Sequence, residues 1–180
     1  NILLISLFDV LLLNLMINIS KLKFSYTPER SISFPDFLLS KGEHCLLLGE
    51  SGSGKTTLLH LMGGLLRGYT GSIQLAGSEL SSLSEGGLDK FRGKNIGFIF
   101  QKNHLISALS VEKNVIMSPY LAGVEIDSKH AQEILVELGL GEKINSSVKE
   151  ISQGQAQRVA IARAVMNHPS VILADEPTSA

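Results

Sequence analysis

Three glycines, a lysine and two threonines fall within residues 49–57, in the order Gly49-Glu50-Ser51-Gly52-Ser53-Gly54-Lys55-Thr56-Thr57. The spacing is G-x-x-x-x-G-K-[ST], and it suits the anionic end of a nucleoside triphosphate. Gly49, Gly52 and Gly54 let backbone N–H groups turn inward around an anion, through conformations that other residues resist. Lys55 sets an ammonium between the β- and γ-phosphates, and Thr56 offers its hydroxyl to Mg²⁺. A plain Gly/Ser turn explains the glycines but not the Lys-Thr pair. At average residue usage the four fixed positions coincide by chance about once in 10⁴–10⁵ positions, which favours the phosphate loop.

Further reactive residues lie downstream. The apolar run Val171-Ile172-Leu173-Ala174 ends in Asp175-Glu176-Pro177-Thr178. A strand closing on two carboxylates is the expected partner of a phosphate loop: Asp175 holds Mg²⁺ through water, and Glu176 polarises the attacking water. Gln101 stands at the end of another apolar run, Ile96-Gly97-Phe98-Ile99-Phe100. The stretch Ile151-Ser152-Gln153-Gly154-Gln155 opens an Ala-rich helix through Ala164, with Val159, Ile161 and Val165 partly buried. Its Ser/Gly start lets that helix N-terminus face a phosphate as well. The histidines at 44, 60, 104, 130 and 168 show no ligand-like spacing and read as structural or exposed.

The elements that position these residues follow from the pattern. Cys45-Leu46-Leu47-Leu48 predicts a short buried strand before the loop, with Cys45 in core packing, and residues 55–65 predict a helix after it. Ile17, Ile19, Leu22, Phe24 and Tyr26 predict an edge strand, and Ile32, Phe34, Phe37 and Leu38 a second strand interrupted by Pro35. Residues 72–75 predict a strand, residues 84–91 a weak helix stopped by Gly93, and residues 102–126 a more mobile insert. Within that insert Ser110 caps a helix that Pro119 breaks, and Asp127 caps the next, whose stripe is Ala131, Ile134, Leu135 and Leu138.

Composition fits one ordinary domain: 180 residues, 44% hydrophobic, formal charge −1. The charge balance argues against a nucleic-acid partner. A single cysteine leaves no internal disulfide and no cysteine metal cluster. Fourteen of the first 19 residues are apolar, but no Lys or Arg precedes Lys21, so a signal peptide's positive n-region is missing. Asp9 costs a membrane span roughly 2.5–3.5 kcal/mol. Met16 is the expected natural start, with residues 1–15 as upstream translation; an amphipathic or membrane-inserting leader is the alternative.

Taken together, the ordered motifs resemble the nucleotide-binding domain of ABC-type ATPases over residues 16–180: Tyr26, the Walker A loop at 49–57, Gln101, the signature at 151–155, and a Walker B strand running into Glu-Pro-Thr-Ser at 171–179. Residues 94–105 are similar to the branch serving lipoprotein release, macrolide export and cell division. The resemblance implies an α/β P-loop NTPase fold with a mainly parallel core sheet. A small antiparallel β subdomain would lie on its N-terminal side, and an α-helical signature subdomain would span about 102–165. It implies that Tyr26 stacks on adenine, and that residues 49–57, each from Gly49 through Glu50, Ser51, Gly52, Ser53, Gly54, Lys55 and Thr56 to Thr57, bind ATP. Thr56, Gln101 and Asp175 would serve Mg²⁺, and Glu176 would be the base, with Gln101 and Lys55 assisting. Ser152, Gly154 and Gln155 would contact the nucleotide of a second copy in a homodimer. Residues 102–122 would receive a coupling helix of an integral membrane permease, which puts the protein peripherally on the cytoplasmic membrane face. Transport, a division-type mechanical role and a soluble ribosome- or DNA-directed role are the three functional readings. Gln153 departs from the usual Leu-Ser-Gly-Gly-Gln. The family pattern also continues past Ala180 with an Asp-containing loop and a switch histidine, so these 180 residues are expected to be a fragment that is weakly active or inactive.

Overall fold

The computed structural model describes residues 15–176. Residues 1–14, which hold all of the expected leader at 1–15 but Leu15, and residues 177–180 lie outside the described residues. Two compact units divide between Ser84 and Glu85.

The first unit is built on a long strand, β1 (Leu15–Thr27). β3 (Phe37–Ser40) and β2 (Arg30–Ser33) pair antiparallel along one side of it, and β4 (Thr70–Leu75) pairs along the other, continued by the short β5 (Ser78–Glu79). The predicted edge strand is therefore central. Alternation of apolar and polar residues reports one wet face, not one free edge; ladders on both sides decide that. The alternation also slips phase between Ile19 and Leu22, both buried. Lys21 takes φ 50° there, the β4 register shifts between Ser20 and Lys23, and the Lys21 N–H donates to Asp36. The extra residue of a bulge returns Leu22 and Phe24 to the buried face. Gly71 makes this possible, since a Cβ there would lie 2.4 Å from the Lys21 carbonyl. Pro35 falls in the break between β2 and β3, where no ladder N–H is required.

Helix α1 (Lys55–Met62) buries Leu58, Leu59, Leu61 and Met62. It ends at Gly63, earlier than the predicted residue 65, because Gly63 and the left-handed Gly64 turn the chain. The run before the loop departs most from expectation. Residues 43–50 form no strand; Leu46 is 79% and Leu48 83% exposed, and Cys45 is exposed. A strand exists only as a ladder, and among the described residues nothing pairs with this run. Cys45 is not in core packing.

The second unit combines a parallel strand pair with helices. β6 (Ile96–Ile99) and β7 (Val171–Ala174) align with Ile99 beside Ala174. α2 (Glu85–Asn95) runs through Gly93 instead of stopping there. A Cβ at Gly93 would come 2.7 Å from that of Ala122, so this glycine admits a close helix contact. α3 (Val111–Ala122) starts on Ser110, whose hydroxyl accepts from Lys113 N–H, and continues through the buried Pro119 to a left-handed Gly123. Proline removes one helical hydrogen bond, and packing of the buried ring overrides that local penalty.

α4 (Ser128–Glu137) begins at Asp127, which accepts from His130 N–H, and buries Ala131, Ile134 and Leu135 as the stripe predicts. α5 (Gln153–Val165) lays Val159 and Ala162 against Val111, Val115, Leu135 and Leu140 in one apolar cluster. Within residues 102–126, Val111, Asn114, Val115 and Pro119 are buried, whereas Ile106, Tyr120, Leu121 and Ile126 stay exposed. Buried Asn114 pins residues 106–110 by accepting from Ile106 N–H at 2.7 Å and donating to the Ile106 and Ser110 carbonyls at 3.2 and 2.9 Å.

Candidate functional site

The phosphate loop enters α1 through Gly54, left-handed at φ 97°, with Gly52 at φ 82° before it. At Gly54 a Cβ would come 3.3 Å from Phe34 and 3.4 Å from Ile32, a mild crowding, and it is the left-handed backbone conformation that calls for glycine. No side chain caps α1; Leu58 N–H reaches the Gly54 carbonyl at 2.8 Å, and Ser53 N–H reaches Glu50 at 3.2 Å. A helix start with no side-chain cap keeps its N–H donors and positive end for an anion. The Lys55 ammonium folds back onto the carbonyls of Gly49 and Glu50, at 2.7 and 2.9 Å, which places its charge within the loop it serves. Thr56 is exposed and Thr57 buried.

Tyr26 joins this loop. Its hydroxyl and the Thr57 hydroxyl are 2.9 Å apart, within one hydrogen bond. A β-bulge aims it there. Ser25 pairs with Ser31 and Thr27 with Arg30, which leaves Tyr26 as the extra residue of β1. Bulges redirect side chains at just such places. Phe24 stays buried and meets the Tyr26 ring edge-on, with centroids 4.8 Å apart.

In the second unit the parallel ladder sets out another group. Asp175 N–H donates to the Ile99 carbonyl at 2.9 Å, one step past the Ile99–Ala174 pair. One step further the Gln101 amide donates to the Glu176 carboxylate at 2.7 Å. Gln101 and Glu176 lie two residues beyond aligned partners, so the register itself brings them together. Glu176 adopts φ 45°, a left-handed conformation that costs a non-glycine residue about 1–3 kcal/mol. Such backbone strain clusters at functional positions.

The signature opens α5. Ser152 and Gln155 form a reciprocal capping box: the Ser152 hydroxyl accepts from Gln155 N–H at 3.2 Å, and Ser152 N–H donates to the Gln155 side chain at 2.8 Å. Ser152, Gln153 and Gly154 are exposed, and a Cβ at Gly154 would meet nothing within 4 Å. Gln153 therefore does not crowd its own chain.

Two residues escaped the sequence reading. Arg163 donates to the carbonyls of Asn103 and His104, at 2.7 and 3.0 Å, and so ties the segment after Gln101 to α5; burial pulls its guanidinium below the usual value. Its i, i+4 neighbours on an Ala-rich helix give no sign of so distant a partner. Arg30 lies over the Tyr26 ring, 5.6 Å from the centroid. The two-residue hairpin turn Pro28-Glu29 is the signal that would have found it, because such a turn puts residue 30 opposite residues 26 and 27.

Among the described residues no group of three or more His, Cys, Asp or Glu side chains could hold a metal ion. Mg²⁺ takes one or two carboxylates together with phosphate and water oxygens. The Thr56 hydroxyl, the Gln101 amide oxygen and the Asp175 carboxylate are hard donors of the right class.

A family model described as ABC transporter matches residues 34–179. The lipoprotein-releasing system ATP-binding protein LolD of Bacteroides thetaiotaomicron is 43% identical over 145 residues, 79% of this chain and 66% of that protein. The macrolide export ATP-binding/permease protein MacB of Bartonella quintana is 44% identical over 144 residues, 79% of this chain and 22% of that protein. The chain thus spans just under two-thirds of that LolD and about a fifth of that MacB. Among solved structures, the dimeric post-hydrolysis ATP-binding cassette MJ0796 bound to ADP and Pi superposes with a TM-score of 0.81 at 33% identity, covering 92% of this chain and 75% of that one. The expected α/β P-loop NTPase fold class is borne out by this likeness.

Proposed function

The chain belongs to the ABC transporter family, and from that premise we propose that it binds and hydrolyses ATP as the energy-supplying subunit of a membrane permease. The observation that carries the reading is the Gln101–Glu176 hydrogen bond at the ends of two parallel strands, in a chain that also presents a glycine loop with Lys55. Lys55 and the loop N–H groups neutralise the terminal phosphates. Glu176 accepts the proton of the attacking water, and the Gln101 amide holds that carboxylate in a fixed direction. Bound Mg²⁺ would supply charge neutralisation on the phosphate oxygens, with Thr56, Gln101 and Asp175 as its donors. Ser152, Gly154 and Gln155 complete the site of a second copy, so the working unit is a homodimer.

Export or lipoprotein release is the transport direction that the LolD- and MacB-like sequence supports. Tyr120 and Leu121, 65% and 76% exposed at the end of α3, are apolar side chains available to a permease segment. No described helix is long and apolar enough to cross a membrane; the LolD- and MacB-like sequence supports a peripheral subunit on the cytoplasmic face.

Steady-state ATPase of the full-length protein tests the core of this reading. Glu176→Gln should lower turnover about 10²–10⁴-fold while ATP still binds, as expected for loss of a general base. Lys55→Ala should lose binding and turnover together. Unchanged turnover in both variants would remove the assignment.

A further inference from the structure

We infer that Arg30 is a positioning residue for the nucleotide base, acting through the ring of Tyr26; the inference rests on the ATP reading above. Three observations converge on that ring. The bulge takes Tyr26 out of the β1–β2 ladder, the Thr57 hydroxyl holds its phenol end 2.9 Å away, and Phe24 packs T-shaped against it with ring centroids 4.8 Å apart. Tyr26 as a residue is still 49% exposed, beside the phosphate loop. Arg30 covers one face of it at 5.6 Å, within the range of a cation–π contact.

A guanidinium is planar and stacks on aromatic faces as an ammonium does not. Placed over the ring, it restrains the ring's rotation and so sets the orientation of the surface that a base meets. Arg30 is itself exposed at the hairpin and has the reach to follow the ring. Its contribution therefore belongs to the base half of the ligand, while the phosphate half belongs to residues 49–57. Neither the glycine-loop motif nor the upstream aromatic accounts for an arginine here.

The test compares ATP with inorganic tripolyphosphate, which carries the phosphates without a base. Each displaces a fluorescent ATP analogue from the full-length protein. Arg30→Ala should weaken ATP about two- to fivefold, the worth of an exposed cation–π contact, and leave tripolyphosphate unchanged. Arg30→Lys should recover part of the loss. In a Tyr26→Ala background, Arg30→Ala should add nothing further. Equal weakening of both ligands, or a full effect without the Tyr26 ring, would overturn the inference, as would ATP binding indifferent to Arg30. A wild-type protein that binds tripolyphosphate but is indifferent to Arg30 sinks this inference alone. A wild-type protein that binds neither ligand sinks the ATP reading, and this inference with it.

Discussion

Replacing Gly97 with alanine should move β6 and, with it, Gln101. A Cβ at position 97 would stand 2.3 Å from the Ala164 carbonyl oxygen of α5, and 3.1 Å from both its carbonyl carbon and Pro169. Ordinary contact begins at 3.4 Å, so strand and helix must part by about 1.1 Å. Both obstacles are backbone or ring atoms, which cannot rotate away. Overpacking of this kind costs about 1–3 kcal/mol. The displaced strand carries Gln101, whose bond to Glu176 is 2.7 Å long; a shift of that size stretches it past the 3.5 Å limit of a hydrogen bond. On the proposed mechanism, misplacing a catalytic group by about 1 Å costs on the order of 10²-fold in turnover. The assay is steady-state ATPase of Gly97→Ala beside its melting temperature and ATP affinity. The expected result is a turnover loss on the order of 10²-fold, with ATP affinity nearly kept because residues 49–57 are untouched, and a melting temperature lowered by about 2–12 °C. Wild-type turnover together with a wild-type melting temperature would refute the reasoning, because the alanine would then have been accommodated without moving the strand.

Two further outcomes follow from polar side chains outside the site. Asn114→Ala removes the fully buried amide that pins residues 106–110; the Ile106 and Ser110 carbonyls keep backbone donors from Leu109 and Asn114, so the loss falls mainly on the Ile106 N–H and the Leu109 carbonyl. About 2–3 kcal/mol and a fall of about 4–12 °C in melting temperature are expected, and amide exchange at 106–110 should speed up; unchanged exchange there would count against the tether. At Glu79, burial alone would raise the carboxyl, but hydrogen bonds from the Ser72 and Ser81 hydroxyls and from the Ser81 and Ile73 N–H groups outweigh it and hold the native value below 4.5. A depressed carboxylate stabilises the fold fully above its unfolded value and loses that contribution as pH falls through the lower native value. Acid denaturation profiles of wild type and Glu79→Gln should therefore differ at neutral pH and converge at low pH; a constant offset across the range would contradict the sign.

What was legible in the sequence was whatever one segment decides by itself. The caps at Ser110 and Asp127, the stripe on α4 and the loop glycines each depend on residues within a turn or two, and each is found where the spacing put it. The misreadings share the opposite property. Gly93 and Pro119 are breakers by propensity, yet both sit inside helices, because Ala122 needs the space beside Gly93 and the Pro119 ring is itself buried. Residues 45–48 carry the composition of a buried strand, but composition cannot supply the neighbouring ladder that makes one. The candidate site divides along the same line. Gln101 and Glu176 were nameable singly from their places at strand ends. Their hydrogen bond was not, since it follows from the parallel register that sets Ile99 beside Ala174. Tyr26 was nameable as an aromatic upstream of the loop, but its aim at Thr57 comes from a bulge, and a bulge is visible only once the partner strand is counted. The chemistry-bearing residues can thus be read one at a time, whereas the geometry that makes them act together is a property of pairs. For that reason the perturbations that separate the two are those, like Gly97→Ala, that move a strand without touching any reactive group.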